Sequence, residues 1–292
     1  MIRSRLALLV GALMTAAVGL LAQKTAGAAA SALAVQAAGL VLGGVFGGLV
    51  ALSGWKPGPR TAMAVATVAV LALLTTFSDP GSGVAQRWTA IRPVTIQPSV
   101  IVLPFVVWGW SRVRAGWGLA GLVGALALLM AAQPDAATCG GLFLAVMGVA
   151  IARRSVSASE GATIVVALAG TIWAATRPDD LPVVAHVERV VVAAFAVNPL
   201  IGIAAGLAMV VVPGLIGWRA RSAKGDATAT VVGLTGLWLG LTIAALVANY
   251  PVPVVGFGAS SAIGWLVSVG LCLRRDAVAS HRPGWSTSPR RR

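Results

Sequence analysis

Residues 116–154 read GWGLAGLVGALALLMAAQPDAATCGGLFLAVMGVAIARR. Two apolar runs, near 116–132 and 137–152, enclose Gln133-Pro134-Asp135 and close on Arg153-Arg154. Neither run contains a charge. A membrane span takes about 20 mostly apolar residues, and backbone without internal hydrogen bonds is excluded from hydrocarbon, so such runs fold as helices. Proline cannot continue a helix, and an aspartate side chain accepts hydrogen bonds from the first turn of the next one. The stretch predicts two membrane helices joined by a tight turn, with Asp135 capping the second.

The same pattern extends in both directions. Ten apolar segments run near 5–22, 32–53, 61–77, 99–111, 116–132, 137–152, 162–176, 189–217, 228–248 and 253–273. The eighth is long and carries Asn198-Pro199, which predicts a kink or a short broken helix. The fourth is short, and Pro104 interrupts it. Of the 292 residues 58% are hydrophobic and 10% charged, with a mean hydropathy of +0.90. Soluble domains carry about 25% charged residues, so a soluble globular chain is excluded. A β-barrel would show short alternating segments instead. The fold class is all-α: a polytopic bundle of about ten transmembrane helices. Glycines at Gly43, Gly47, Gly48, Gly118, Gly121 and Gly124 predict close helix packing.

Charge placement orients the bundle. With the N-terminus in the cytoplasm and strict alternation, the outer segments hold Lys24, Arg87, Arg92, Arg177 and Arg189, and every other basic residue falls inside. Each inner loop is then basic, as the positive-inside rule requires. Both termini are expected in the cytoplasm, with residues 1–275 as one transmembrane domain and 276–292 as a basic, disordered tail. Small residues around Ala26-Gly27-Ala28 imitate an export signal, but the first segment suits an uncleaved helix. The net charge of +14 lies in short breaks between spans, not on a polar domain, so no nucleic acid is expected. Cys139 and Cys272 lie in apolar runs without a Cys/His cluster, so no metal site is expected.

Polar residues capable of chemistry concentrate on the outer side. Four segments stand out: Gly81 through Trp88 leading to Gln97-Pro98-Ser99, then Gln133-Pro134-Asp135, then Ala185-His186-Val187-Glu188, then Pro251 through Ser261. Each also has a plain structural reading. Ser99 and Asp135 suit helix caps, Glu188 with Arg189 suits an interfacial ion pair, Trp88 suits an interfacial anchor, and Gly256 to Ser261 suit helix packing. No phosphate-binding GxxxxGK[ST] motif, proton-relay ladder or Ser-His-Asp set occurs.

Taken in order, Arg87-Trp88, Gln97-Pro98-Ser99, Gln133-Pro134-Asp135, Ala185-His186-Val187-Glu188 and Pro253 through Ser261 resemble the motifs of the SEDS family of bacterial membrane proteins, the FtsW and RodA type. The resemblance covers roughly residues 60–275. It implies a peptidoglycan glycosyltransferase of the bacterial plasma membrane, polymerising lipid II on the outer leaflet beside a class B penicillin-binding transpeptidase. On that reading Glu188 holds the catalytic carboxylate position, and Arg87, Arg92, Asp135, His186, Ser260 and Ser261 bind substrate. A divalent cation is the one cofactor the resemblance allows.

The chain also departs from the family pattern. Val100 and Leu103 stand where the family carries Glu and Lys, Val187 replaces Thr, and Ala196 and Val197 replace an acidic pair. The long outer loop before His186 is missing, with only Arg177 to Ala185 in its place. Two further readings therefore stay open: an inactive scaffold for the transpeptidase, and a transporter of lipid-linked precursor.

Overall fold

The computed structural model describes residues 2–78, 86–91, 94–177, 183–256 and 258–274. Among them are eleven α-helices: α1 (Ile2–Thr25), α2 (Ala30–Leu52), α3 (Pro59–Leu74), α4 (Pro98–Arg112), α5 (Trp117–Ala132), α6 (Ala136–Arg153), α7 (Ala158–Ala175), α8 (Val190–Val197), α9 (Pro199–Ala220), α10 (Asp226–Val247) and α11 (Ala259–Leu273). By length and composition, α1, α2, α3 with its Thr75–Ser78 extension, α6, α7, α9 and α10 can each cross a membrane. The remaining helices are shorter.

Long-range hydrogen bonds sort the described loops into two ends. At one end Arg5 reaches the carbonyl of Arg274, Arg274 donates to Ser53 Oγ (2.8 Å), and Arg153 donates to the carbonyls of Trp110 and Val113. At the other, Gln23 reaches Val255, Gln133 reaches Thr76, and Arg177 reaches Ala132. Among the described residues the chain thus passes between the ends ten times, with α8 and α9 sharing one pass. Both described extremities lie at the first end, called here the termini end. This is a multi-pass membrane protein.

The expected break in the eighth segment falls at Asn198-Pro199. Pro199 opens α9, and the Asn198 side chain accepts from the amides of Leu200 (3.1 Å) and Ile201 (3.4 Å). The capping that ends α8 therefore starts α9. The last span begins later than the apolar run suggests, at Ala259. Pro251 and Pro253 lack amide hydrogens and disfavour helix in the residues before them, so 250–256 form an irregular segment. A two-stranded hairpin was also not anticipated: β1 (Thr89–Ile91) pairs antiparallel with β2 (Val94–Ile96). Its Thr- and Ile-bearing residues have the β-branching that suits short strands.

The most extensive helix pairings are α6 with α10 and α2 with α11, and glycines bring both close. A Cβ on Gly47 would sit 2.3 Å from the Leu266 carbonyl oxygen, and one on Gly240 would sit 2.6 Å from Gly141 Cα. Gly48 and Gly121 meet nothing within 4 Å, so only part of the expected glycine set packs. The core between these pairs contains Trp238 and Trp265 edge to face at 5.4 Å, with Trp238 Nε1 donating to Ser268 Oγ (2.9 Å).

Gly47→Leu is expected to abolish monodisperse protein after detergent extraction. A side chain pressed against backbone cannot be accommodated by rotamer change, and overpacking of this kind costs about 1–3 kcal/mol or more. Gly48→Leu, one residue along and facing outward, should leave yield unchanged. Wild-type yield from Gly47→Leu would contradict the α2–α11 approach.

Orientation is tested by labelling. Native Cys139 and Cys272 are buried, so an impermeant thiol reagent should not react with the parent protein. Asn249→Cys should react in intact cells, whereas Lys56→Cys and Lys224→Cys should react only after permeabilisation. Ready reaction at Lys224→Cys in intact cells would reverse the cytoplasmic assignment of the termini.

Candidate functional site

The far end of the bundle is built on the α5–α6 turn. Gln133 donates to Thr76 Oγ1 (2.7 Å) and to the Leu73 carbonyl (3.3 Å), holding the turn against α3. Asp135 is fully buried. One of its oxygens caps α6 by accepting from the Thr138 amide (3.2 Å), and the other accepts from Gln97 Nε2 (3.0 Å). The Gln97 amide in turn donates to Ser260 Oγ (2.9 Å), at the start of α11. Gln97, Asp135 and Ser260, far apart in sequence, are thus linked by hydrogen bonds. Ser261 Oγ donates to the Gly258 carbonyl (2.8 Å) and completes the first turn of α11.

Arg87 is buried against the same turn. Its guanidinium donates to the Pro134 carbonyl (2.6 Å) and lies 4.8 Å from the ring centre of Tyr250 and 5.9 Å from that of Trp88. The Tyr250 hydroxyl accepts from the Ala136 amide (3.2 Å). Trp88 is therefore stacked near a cation rather than standing only as an interfacial anchor. Arg87, Gln97, Asp135, Tyr250 and Ser261 surround a cavity of about 30 Å³, room for about one water. These side chains form a packed hub.

The segment after Tyr250 joins the hub to the predicted carboxylate. The Val252 amide donates to the Val187 carbonyl (3.2 Å), and Gly256 packs so closely there that a Cβ would lie 2.3 Å from that oxygen. Val254 adopts φ +64°, an outlier for a β-branched residue. Two buried glutamines hold it: Gln23 Nε2 donates to the Val255 carbonyl (2.9 Å), and Gln36 donates to the Val254 carbonyl (3.4 Å) and accepts from the Gly258 amide (2.9 Å). Strained backbone persists only where its surroundings over-determine it, and here two helices do so.

Glu188 lies half-buried on the turn 185–188, before α8, with half-buried His186 on the same turn. Its carboxylate accepts from the Val184 amide (2.8 Å), so it bonds its own loop. Arg92 lies outside the described residues, as do Phe257 and residues 276–292. The structure therefore links Arg87, Asp135, Ser260 and Ser261 in one hub and ties the Glu188 turn to it through Val187 and Val252.

Beside the hub runs a much larger groove of about 690 Å³, floored by α6 and walled by α7 and α10. Small residues such as Ala136, Gly140, Ala174 and Gly240 line it, with Tyr250 and Arg177 at the hub end. Arg177 donates to the carbonyls of Ala132 (2.7 Å) and Ala131 (3.4 Å) and lies 5.6 Å from the Trp173 ring centre. Volume and lining suit the hydrocarbon of an amphiphile, with a cation where its head would lie. Sequence reasoning missed Arg177, Tyr250, Gln23 and Gln36 as site residues. Tyr250, the only tyrosine, and two glutamines inside apolar helices were the available signals. Among the described residues no three His, Cys, Asp or Glu side chains come together, so no ligand set for a divalent cation forms there.

No family model matches the chain, and no curated protein sequence matches it. Solved structures do. The rod-shape-determining protein RodA of Thermus thermophilus superposes with a TM-score of 0.63 at 17% identity, over 91% of this chain and 94% of that one. An Asp-to-Ala variant of the same protein gives 0.65 at 17% identity, over 91% and 95%. A chain from a peptidoglycan synthase complex, concerned with the coordination of polymerisation and crosslinking, gives 0.58 at 16% identity, over 91% and 95%. The fold implied by the SEDS resemblance is thus the fold of this chain.

Proposed function

We propose that this chain is a SEDS-type peptidoglycan glycosyltransferase of the bacterial plasma membrane, polymerising lipid II at the outer leaflet. The observation that carries the reading is the junction of groove and hub at Tyr250: an apolar channel between helices ends beside Arg177 and the hub that holds Arg87, and the Glu188 turn is tied to that hub through Val187 and Val252. The polyprenyl chain of lipid II would occupy the groove. Arg177, with Arg92, would face its pyrophosphate, and Arg87 would add its positive charge from within the hub behind Tyr250, where such interactions are strengthened by the low dielectric. Glu188 would take the proton from the acceptor sugar hydroxyl as its oxygen attacks the anomeric carbon and the bond to pyrophosphate breaks. His186 would shape that site. Asp135, Ser260 and Ser261 would act on substrate chiefly by holding Gln97 and the 250–258 segment in place.

The partner proposed is a class B penicillin-binding transpeptidase, in keeping with the synthase complex that shares the fold. Residues 1–275 would form the working transmembrane unit and 276–292 a basic tail at the inner leaflet, where anionic lipid attracts it. A second reading, an inactive scaffold for the transpeptidase, is favoured by one observation: only residues 176–184 separate α7 from the Glu188 turn. No long loop is available there to cover the groove.

The deciding experiment is a gel assay for glycan chains using purified protein, its transpeptidase partner and lipid II. Polymer is expected. Absence of polymer from a folded, partner-bound preparation would transfer the assignment to the scaffold.

A further inference from the structure

A second lateral groove, of about 490 Å³, opens on the outside of the bundle near the termini end. One wall is a face of α3 that includes Ala64 and Val68, and the other is Val102 and Phe105 of α4. Arg60 and Trp55 close it at the termini end. Neither Arg60 nor the neighbouring Lys56 forms a hydrogen bond or ion pair with any described residue, and both are exposed. At this end the described carboxylates are Glu160, bonded by Arg153 (2.8 Å) and Arg114 (3.3 Å), and Asp226, at the start of α10. The helices packed on α3 are α4 and α5, so neither carboxylate is on an element that packs against the groove's α3 wall.

The polar end of the groove is held in shape. Trp55 lies edge to face on buried Trp108 at 5.3 Å, and the Arg274 guanidinium lies 4.6 Å from the Trp108 ring centre on its way to the Trp55 carbonyl. The loop that presents Trp55 and Lys56 is therefore anchored to α4 and to the end of α11. An apolar channel along a helix, closed by a fixed aromatic and by Arg60, with exposed Lys56 next to that aromatic on the same short loop, matches an amphiphile with an anionic head.

We propose that this groove seats an anionic diacyl phospholipid, one acyl chain along α3 and the headgroup phosphate between Lys56 and Arg60. The site is separate from the α6–α7–α10 groove and does not depend on the glycosyltransferase reading. The test uses the full chain in phosphatidylcholine nanodiscs carrying phosphatidylglycerol with a photoactivatable acyl chain. Crosslinks should map to residues 61–68 and 102–105. Unlabelled phosphatidylglycerol should compete roughly tenfold or more better than phosphatidylcholine, as two basic contacts at a membrane surface imply. Lys56→Gln with Arg60→Gln should erase that difference, and Ala64→Trp should fill the channel and remove the crosslinks. All three positions are exposed, and monodispersity by size exclusion checks that the variants fold. Crosslinks confined to other faces, equal competition by phosphatidylcholine, or a preference that survives the double substitution would each overturn the proposal.

Discussion

Glu188→Gln is expected to abolish glycan polymerisation while leaving expression and transpeptidase binding intact. The Glu188 carboxylate makes one contact with its own loop, accepting from the Val184 amide at 2.8 Å. Glutamine keeps an oxygen acceptor of the same reach, so the turn that carries His186 should survive. What glutamine cannot do is accept the acceptor sugar's proton. A positioned base contributes about 10²–10⁴-fold to a rate, so the variant should fall to the assay floor. Glu188→Ala is the less informative change, because it also removes the Val184 partner. A glutamine variant that polymerises lipid II at the wild-type rate would show that the base is another group and that the motif assignment fails at this residue.

Asp135 should govern the stability of the whole far end. Asp135→Ala removes the cap of α6, worth about 1 kcal/mol, and leaves the half-buried Gln97 side-chain amide without its charged acceptor, worth about 1–3 kcal/mol more. We expect a clearly lowered melting temperature in detergent and loss of polymerisation, since Gln97 also holds Ser260. Asp135→Asn should be much milder. Its carbonyl can still accept from the Thr138 amide, and Gln97 can rotate its own amide to offer an oxygen to the new NH₂ group. Equal destabilisation by alanine and asparagine would mean that charge, rather than this pair of hydrogen bonds, is what the site requires. A wild-type melting temperature for Asp135→Ala would contradict the hub.

The spans were legible because each is a local solution to a local problem. Lipid offers no hydrogen bonds, so every apolar run must close its own backbone as helix, and the polar breaks mark where that requirement ends. Asn198-Pro199 was readable for the same reason: proline and an asparagine cap act within one turn. The Asp135 cap, three residues from its amide partner, was equally local. The motif residues could be picked out in order by family resemblance, but their spacing said nothing of their bonds.

Tertiary structure alone decided the rest. Gly47 packs and Gly48 does not, though they are adjacent, because the choice depends on where α11 crosses α2. Pro251 and Pro253 already disfavour helix before the last span, but 254–258 can stay irregular up to Ala259 because Gln23 and Gln36, on the first two helices, satisfy backbone groups that an isolated chain would have to bond itself. The hub depends on bonds such as Gln97 to Asp135 and Gln97 to Ser260, which span 38 and 163 residues. Arg177 and Tyr250 matter because α7 and α10 leave a groove over α6. Apolar periodicity and caps report on neighbours within a few residues along one helix. Which helices meet, and which polar ends they bring together, follows from packing summed over the whole bundle.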